Sequence, residues 1–323
     1  MDSVREERVV RPDGRVVAWT EHGTPEGLPL LRLPGTPGSR YSFPADRRPW
    51  AERGLRVIIV ERPGFGASTR LPGRGFAEHA DDLAAVLDHV GIDRVPAYGG
   101  SGAAPHLLGF AARHPDRFSA GTVVDGAAPM TEEEVRGEIE ANAIGDLLAR
   151  SGATDALRDL LTRARDEVLA DPVDGFRALM TDAPAADQEV MAEHAWQVGF
   201  MRGLVEALTL GVDGWMDEVL AINGDWGDID LDAVTGSVTW WHSLGDRNCP
   251  ISAARRLVAR LPRARFVTWD GAGHLAGAAH EAEILDELLA RAGSSSATRD
   301  GIPTGRASGA PARTRPGSAI AAR

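Results

Sequence analysis

The chain has 323 residues, ordinary apolar and charged fractions and a net charge of −12, which describes a globular protein with a large core and argues against a nucleic-acid partner. All 35 basic residues are arginine, which excludes a Schiff-base lysine, a lysine general base and a P-loop lysine. The single cysteine, Cys249, excludes an intrachain disulfide framework and fits a reducing, cytoplasmic setting.

Residues 1–8 are too charged for a signal peptide, and no apolar run approaches membrane-spanning length, so no membrane partner is expected. No H-E-x-x-H, paired C-x-x-C or EF-hand loop occurs, so no metal is expected. A G-x-G-x-x-G frame begun at Gly100 ends on Pro105 and follows a late strand, which speaks against a dinucleotide cofactor.

Residues 7–10 and 15–21 are β-rich runs joined by Pro12, Asp13 and Gly14, a hairpin signal. A third short strand is expected over 28–33, and the apolar run 56–60 reads as a strand covered on both faces. Residues 76–90 carry Ala80, Leu83, Val86, Leu87 and Val90 at helical spacing. A strand then runs into Gly99-Gly100-Ser101-Gly102-Ala103 and out into an Ala/Leu-rich helix. So abrupt a turn strains the residue at its apex and pushes its side chain over the sheet edge, beside the free N–H groups of a helix start. That residue is Ser101. A further buried strand is expected over 121–125.

From Met130 the texture changes to amphipathic helices, opened by a capping box at Thr131 and Glu134. Residues 131–236 hold 24 Asp and Glu against 7 Arg, mostly read as solvated helix faces, which disfavours a strongly anionic substrate. Strand texture resumes over 237–243, with a helix over 251–261, a strand over 265–269 and a closing helix over 276–292. The remainder, 293–323, lacks large apolar residues and is expected to be disordered.

The Gly-Gly-Ser-Gly-Ala stretch resembles the G-x-S-x-G nucleophile elbow of the α/β-hydrolase superfamily, with Ala103 in the last glycine position. The resemblance covers about residues 7–292 and implies an α/β fold. A mostly parallel central sheet would carry helices on both faces, with a core of 1–129 and 237–292 and a helical cap inserted at 130–236. In this superfamily's chain order the acid and histidine follow the serine. His274, in Asp270-Gly-Ala-Gly-His274 after the last expected strand, is the candidate base. Asp246, in Gly245-Asp246-Arg247-Asn248-Cys249-Pro250, is the candidate acid, and Asp125, at the end of the strand before the insertion, is the alternative. By resemblance the oxyanion hole would use the N–H groups of Gly102 and of Thr36 in the loop after the third strand, although Leu33 stands where most relatives carry histidine. Trp196, Phe200 and Met201, with Trp215 and Trp226, are candidates for an apolar substrate pocket. The implied activity is hydrolysis of a small, largely apolar ester or lactone through an acyl-enzyme, without metal or cofactor. A C–C hydrolase, lyase, cyclase or peptidase with the same triad, and a non-catalytic ligand-binding relative, remain open alternatives.

Overall fold

The computed structural model of the chain describes residues 4–139, 142–180 and 183–297. Among them eight strands form one sheet. They are β1 (Arg5–Val10), β2 (Val16–His22), β3 (Leu28–Leu33), β4 (Leu55–Val60), β5 (Val95–Gly100), β6 (Phe118–Val124), β7 (Ser237–Ser243) and β8 (Ala264–Trp269). Their spatial order is β1-β2-β4-β3-β5-β6-β7-β8. β1 and β2 form the expected hairpin, with Val10 opposite Val16, and β2 runs antiparallel to β4. β3 to β8 are mutually parallel.

Side chains alternate across each parallel strand, so each strand feeds two cores. Leu31, Ile58, Val60, Ala97, Val123 and Trp240 face the helices Phe76–His89, Ala104–Arg113 and Ile251–Val258. Leu30, Val57, Ile59, Tyr98, Val124 and Trp241 face Arg48–Glu52 and Glu281–Ala297. Each fully buried Val, Leu or Ile contributes roughly 1.5–3 kcal/mol. Helices therefore cover both faces of a mostly parallel sheet, as expected. None of the described helices is long and apolar enough to cross a membrane.

Several elements differ from the sequence reading: β6 begins at Phe118 rather than 121, and the helix expected over 251–261 ends at Val258. The short helix Arg48–Glu52 was not anticipated; it is started by Pro49 and pinned by buried Trp50. The expected helix over 276–292 is a 3₁₀ turn, Ala276–Ala278, followed by Glu281–Ala297. The break fixes Glu281 where its carboxylate accepts hydrogen bonds from Trp50 Nε1 at 2.8 Å and Arg32 Nη1 at 3.4 Å. The last helix also continues past Gly293, an exposed glycine near a helix end, which costs only about 1 kcal/mol. Of the segment expected to be disordered, 298–323 lies outside the described residues.

Between β6 and β7 the chain forms helices from Glu132–Glu138 to Asp213–Ile222. Thr131 and Glu134 make the anticipated capping box. The helices share a core of their own, including Leu157, Leu161, Phe176, Met191, Leu204 and Trp215, into which Phe65 projects from the loop after β4. Past Ile222, however, Trp226, Ile229, Leu231 and Val234 pack on the core of the sheet instead. The stretch between the last of these helices and β7 is thus anchored to the sheet, because these four apolar side chains have the larger core within reach.

Charge also joins the two bodies. Glu218, on Asp213–Ile222, is fully buried and accepts hydrogen bonds from Arg74 Nη2, from His106 Nε2 at 2.8 Å and from Thr36 Oγ1 at 3.1 Å. Arg62 Nε lies 3.5 Å away. Burial works against the charge of Glu218, but Arg62, His106 and Arg74 together hold its carboxyl well below the usual range. Glu218→Ala would leave two buried guanidinium groups without a counter-charge. It is expected to lower unfolding stability in urea by about 3–5 kcal/mol. A loss below about 1 kcal/mol would show that Arg62 and Arg74 find other compensation.

Candidate active site

Ser101 sits where β5 gives way to a 3₁₀ turn, Ser101–Ala103, and then to the helix Ala104–Arg113. Its φ is +55°, a left-handed conformation that costs a non-glycine residue about 1–3 kcal/mol and persists only where the surroundings fix it. Ala127 N–H donates to Ser101 O at 3.0 Å, so the end of β6 helps hold the turn. The neighbouring Gly102 has no room for a side chain: a Cβ there would lie 2.2 Å from Thr36 Oγ1. The elbow and the loop after β3 are therefore in contact, which places Gly102 and Thr36 side by side next to Ser101.

That loop is held from behind. Arg62, 1% exposed, donates to the carbonyl oxygens of Pro34 and Gly35, each at 2.6 Å. The Gly35 carbonyl and the Thr36 N–H belong to one peptide group, so a charged donor on the oxygen polarises the N–H and makes it a stronger donor. Arg62 was legible only as part of a turn motif. Its partners are loop carbonyls, which carry no sequence signal.

His274 and Asp246 arrive from the loops after β8 and β7. Both Asp246 oxygens lie 3.1 Å from His274 Nδ1, and Oδ1 also accepts Asn248 N–H at 2.7 Å and Cys249 N–H at 3.1 Å. Burial works against the Asp246 charge, yet His274 foremost keeps its carboxyl below the usual range. Burial also disfavours the charged imidazole. Asp246, with smaller contributions from Asp125 and Asp187, outweighs it and raises His274 to about 9. With Nδ1 committed to Asp246, Nε2 is left for the cavity.

Asp125 is placed differently. It ends β6 at φ +45° and accepts hydrogen bonds from Ser243 N–H at 2.6 Å and Ser243 Oγ at 3.1 Å. Burial, and then the nearby Asp246 charge, push its carboxyl well above the ordinary range, against the pull of His274 and of the Ser243 hydrogen bonds. His242, unremarked in the sequence, braces the same loop. Its Nδ1 accepts from Trp240 Nε1 at 3.3 Å, and its Nε2 donates to Cys249 O at 3.1 Å. Burial lowers its pKa and keeps it neutral.

Two sets of side chains among the described residues have donor atoms within 4.8 Å of one another: Asp246, Cys249 and His274, and Asp125, His242 and Asp246. Both depend on Asp246, whose oxygens already serve two backbone N–H groups and an imidazole. Burial also pushes the Cys249 thiol well up, although the Ser101 hydroxyl beside it pulls the other way. The donor chemistry is that of a hydrogen-bonded dyad rather than a built metal site.

Ser101, Gly102, Thr36 and His274 open onto one cavity of about 650 Å³. Trp196, Phe200 and Trp215 of the helical segment line its far wall. Trp196 and Phe200 are stacked with ring centroids 4.5 Å apart, and Phe176 closes on Phe200 at 4.7 Å. Met201 does not line the cavity. One residue on from Phe200, it turns about 100° around the helix and is buried in the core of the helical segment. Trp226 is likewise absent from the wall, packing its ring 5.4 Å from Phe76 against the sheet.

The family described as alpha/beta hydrolase fold matches residues 29–280. Among curated proteins, a non-heme haloperoxidase of Rhodococcus erythropolis is 25% identical over 273 residues, which cover 82% of this chain and 92% of that one. A 2-hydroxy-6-oxononadienedioate/2-hydroxy-6-oxononatrienedioate hydrolase of Paraburkholderia phymatum is 26% identical over 271 residues, 82% and 85% of the two chains. Among solved structures, a thermophilic esterase from Thermogutta terrifontis superposes with a TM-score of 0.62 at 20% identity, over 89% of this chain and 99% of that one. The enol-lactonase from Burkholderia xenovorans LB400 gives 0.61 at 18%, over 88% and 100%. Family match and sheet order agree: the chain belongs to the alpha/beta hydrolase family.

Proposed function

We propose that the protein is a serine hydrolase that cleaves a small, largely apolar ester or lactone through a Ser101 acyl-enzyme. The observation that carries the reading is the convergence of a serine on a strained turn and an Asp246-bound imidazole on one aromatic-walled cavity. His274 Nε2 takes the hydroxyl proton as Ser101 Oγ attacks the carbonyl carbon. The charge on the resulting oxyanion meets the N–H groups of Gly102 and Thr36. As the tetrahedral intermediate collapses, the C–O bond to the leaving group breaks and His274 returns the proton to the departing alkoxide. Water, deprotonated by the same nitrogen, then releases the acid. Asp246 orients the ring and stabilises its protonated form. The helical segment serves as the cap expected over 130–236, and its aromatic wall favours an apolar acyl or alcohol group. The likeness to an esterase and an enol-lactonase fits this reaction class.

A second reading keeps these residues and changes the bond broken. The Paraburkholderia phymatum relative, aligned over 82% of the chain, favours C–C bond hydrolysis. Turnover of p-nitrophenyl esters separates the two, because a C–C hydrolase needs an activated ketone rather than an ester.

A fluorophosphonate probe should label Ser101, and Ser101→Ala should abolish labelling and turnover while leaving the fold intact. Modification mapped by peptide analysis to another serine would remove the elbow from the mechanism. Asp246→Asn should reduce kcat on the order of 10⁴-fold, since the amide mis-sets the imidazole tautomer. Asp125→Asn, which alters a carboxyl bonded to Ser243 rather than to the ring, should cost far less; steady-state kinetics giving the reverse ranking would make Asp125 the acid. The base works only when neutral, and His274 holds its proton up to about 9. The kcat/KM profile should therefore rise with pH, with a midpoint above the ordinary ~6.5. A midpoint at or below that value would show that Asp246 does not act on the ring as described.

A further inference from the structure

We propose that Asp187, a carboxylate of the helical segment, is a positioning residue for His274. It lies on Ala185–Ala192 and is 1% exposed. Its Oδ2 accepts the N–H of His274 at 2.9 Å, and its Oδ1 accepts the N–H of Leu275 at 2.8 Å. The carboxylate also lies flush against the preceding residue: a Cβ on Gly273 would come within 2.4 Å of Oδ2. One carboxylate thus clamps two consecutive N–H groups of the histidine loop, 274 and 275, and packs against Gly273. Nothing in this clamp touches the cavity's reacting atoms, so Asp187 acts through His274. The inference rests on His274 as the base proposed above.

The loop needs such a clamp. Glycines at 271 and 273 flank Ala272 just before the histidine, and a chain so permissive does not fix a ring by itself. Asp246 holds the imidazole at Nδ1 and Gly245 N–H holds Ala272 O at 3.0 Å, which leaves the N–H groups of His274 and Leu275 to be held against rocking about that bond. Two charge-assisted bonds to successive N–H groups remove the rocking, so ring and backbone are each tied to a separate carboxylate. The same carboxylate also acts through space. The charged or titratable groups around the His274 ring are Asp246, Asp125, His242 and the Cys249 thiol from the sheet side and Asp187 from the helices. Asp187 is among those that favour the protonated ring.

The consequence is a mechanical link between substrate wall and base. Ala185–Ala192 belongs to the helical segment whose next helix, His194–Leu208, carries Trp196 and Phe200. A ligand that shifts these helices also shifts the backbone of the catalytic histidine.

The test uses the full chain carrying Asp187→Asn and Asp187→Ala. Two readouts are taken on each: the titration of the His274 ring by NMR, and the second-order rate of fluorophosphonate labelling at Ser101. Asn is nearly isosteric but offers one acceptor and presents an amide N–H to the second donor; Ala offers none. The ring should titrate at lower pH in both variants. At a pH where the ring is neutral in every protein, labelling should slow by about tenfold or more, because a small misplacement of the base has a large kinetic cost. KM for an accepted ester should change little beside kcat. A folded Asp187→Asn protein with wild-type titration and wild-type labelling overturns the proposal, and so does a lowered Tm with both readouts unchanged, which would leave Asp187 a purely structural role. If Asp187→Ala does not fold, Asp187→Asn decides. If Ser101 of the wild type is not labelled but the ring still titrates lower in Asp187→Asn, the clamp stands and the serine-hydrolase reading falls.

Discussion

Glu218 is the residue on which the geometry around Ser101 depends most heavily. Two guanidinium groups cannot be buried near one another without a counter-charge, and the sheet supplies none to Arg62 and Arg74. The helical segment does, through one carboxylate. With its charge balanced, Arg62 can spend its remaining donors on Pro34 and Gly35 and so fix the loop that bears Thr36. Glu218 also takes the Thr36 hydroxyl directly and holds His106, on the helix that leaves the elbow. The loop after β3, the loop after β4, the elbow helix and the inserted helices therefore meet at a single group. A helical roof of this kind cannot be regarded as a lid laid on a finished enzyme.

Much of this architecture was legible in the sequence because it rests on local pattern. Runs such as 56–60 announce strands covered on both faces, and Ser101 is marked by the residues that let a strand turn so sharply. Asp246 and His274 stand in loops directly after the last two strands, and the parallel sheet brings the ends of neighbouring strands together, so order along the chain becomes proximity in space. Asp125 was the harder choice. It too ends a strand at the same sheet edge, and only the pairing with Ser243, which commits both its oxygens, sets it apart from Asp246.

Glu218 and Asp187 were not legible, for a definite reason. Both belong to a segment with 24 acidic residues, where a carboxylate is by default a solvated one. What makes these two exceptional is their partners: Arg62, Arg74 and His106 for one, two backbone N–H groups for the other. The first set lies more than a hundred residues away, and the second has no side-chain identity at all. Met201 fails the opposite way. Its residue type suits an adaptable pocket, but the turn of the helix between 200 and 201 decides which of the two faces the cavity, and helical spacing alone does not say which side the cavity is on.

The electrostatics of the site follow from how each of its carboxylates is committed. Asp125 is tied to the N–H and hydroxyl of Ser243, and Asp187 to the N–H groups of His274 and Leu275. Asp246 alone aligns its carboxylate on Nδ1, at 3.1 Å, while Asp125 and Asp187 add smaller contributions that also favour the protonated ring. The inserted helices take part in this balance as well as in the shape of the cavity, and the two tasks fall on different side chains. Trp196 and Phe200 form a wall that can be recut without disturbing any ionic contact of the base or of the Thr36 loop. Asp187 and Glu218 touch no cavity-lining aromatic in their polar contacts, yet they hold the backbone of His274 and the hydroxyl of Thr36. Substrate preference can thus vary along one face of the helical segment while its anchoring carboxylates stay constrained by groups that lie in the sheet.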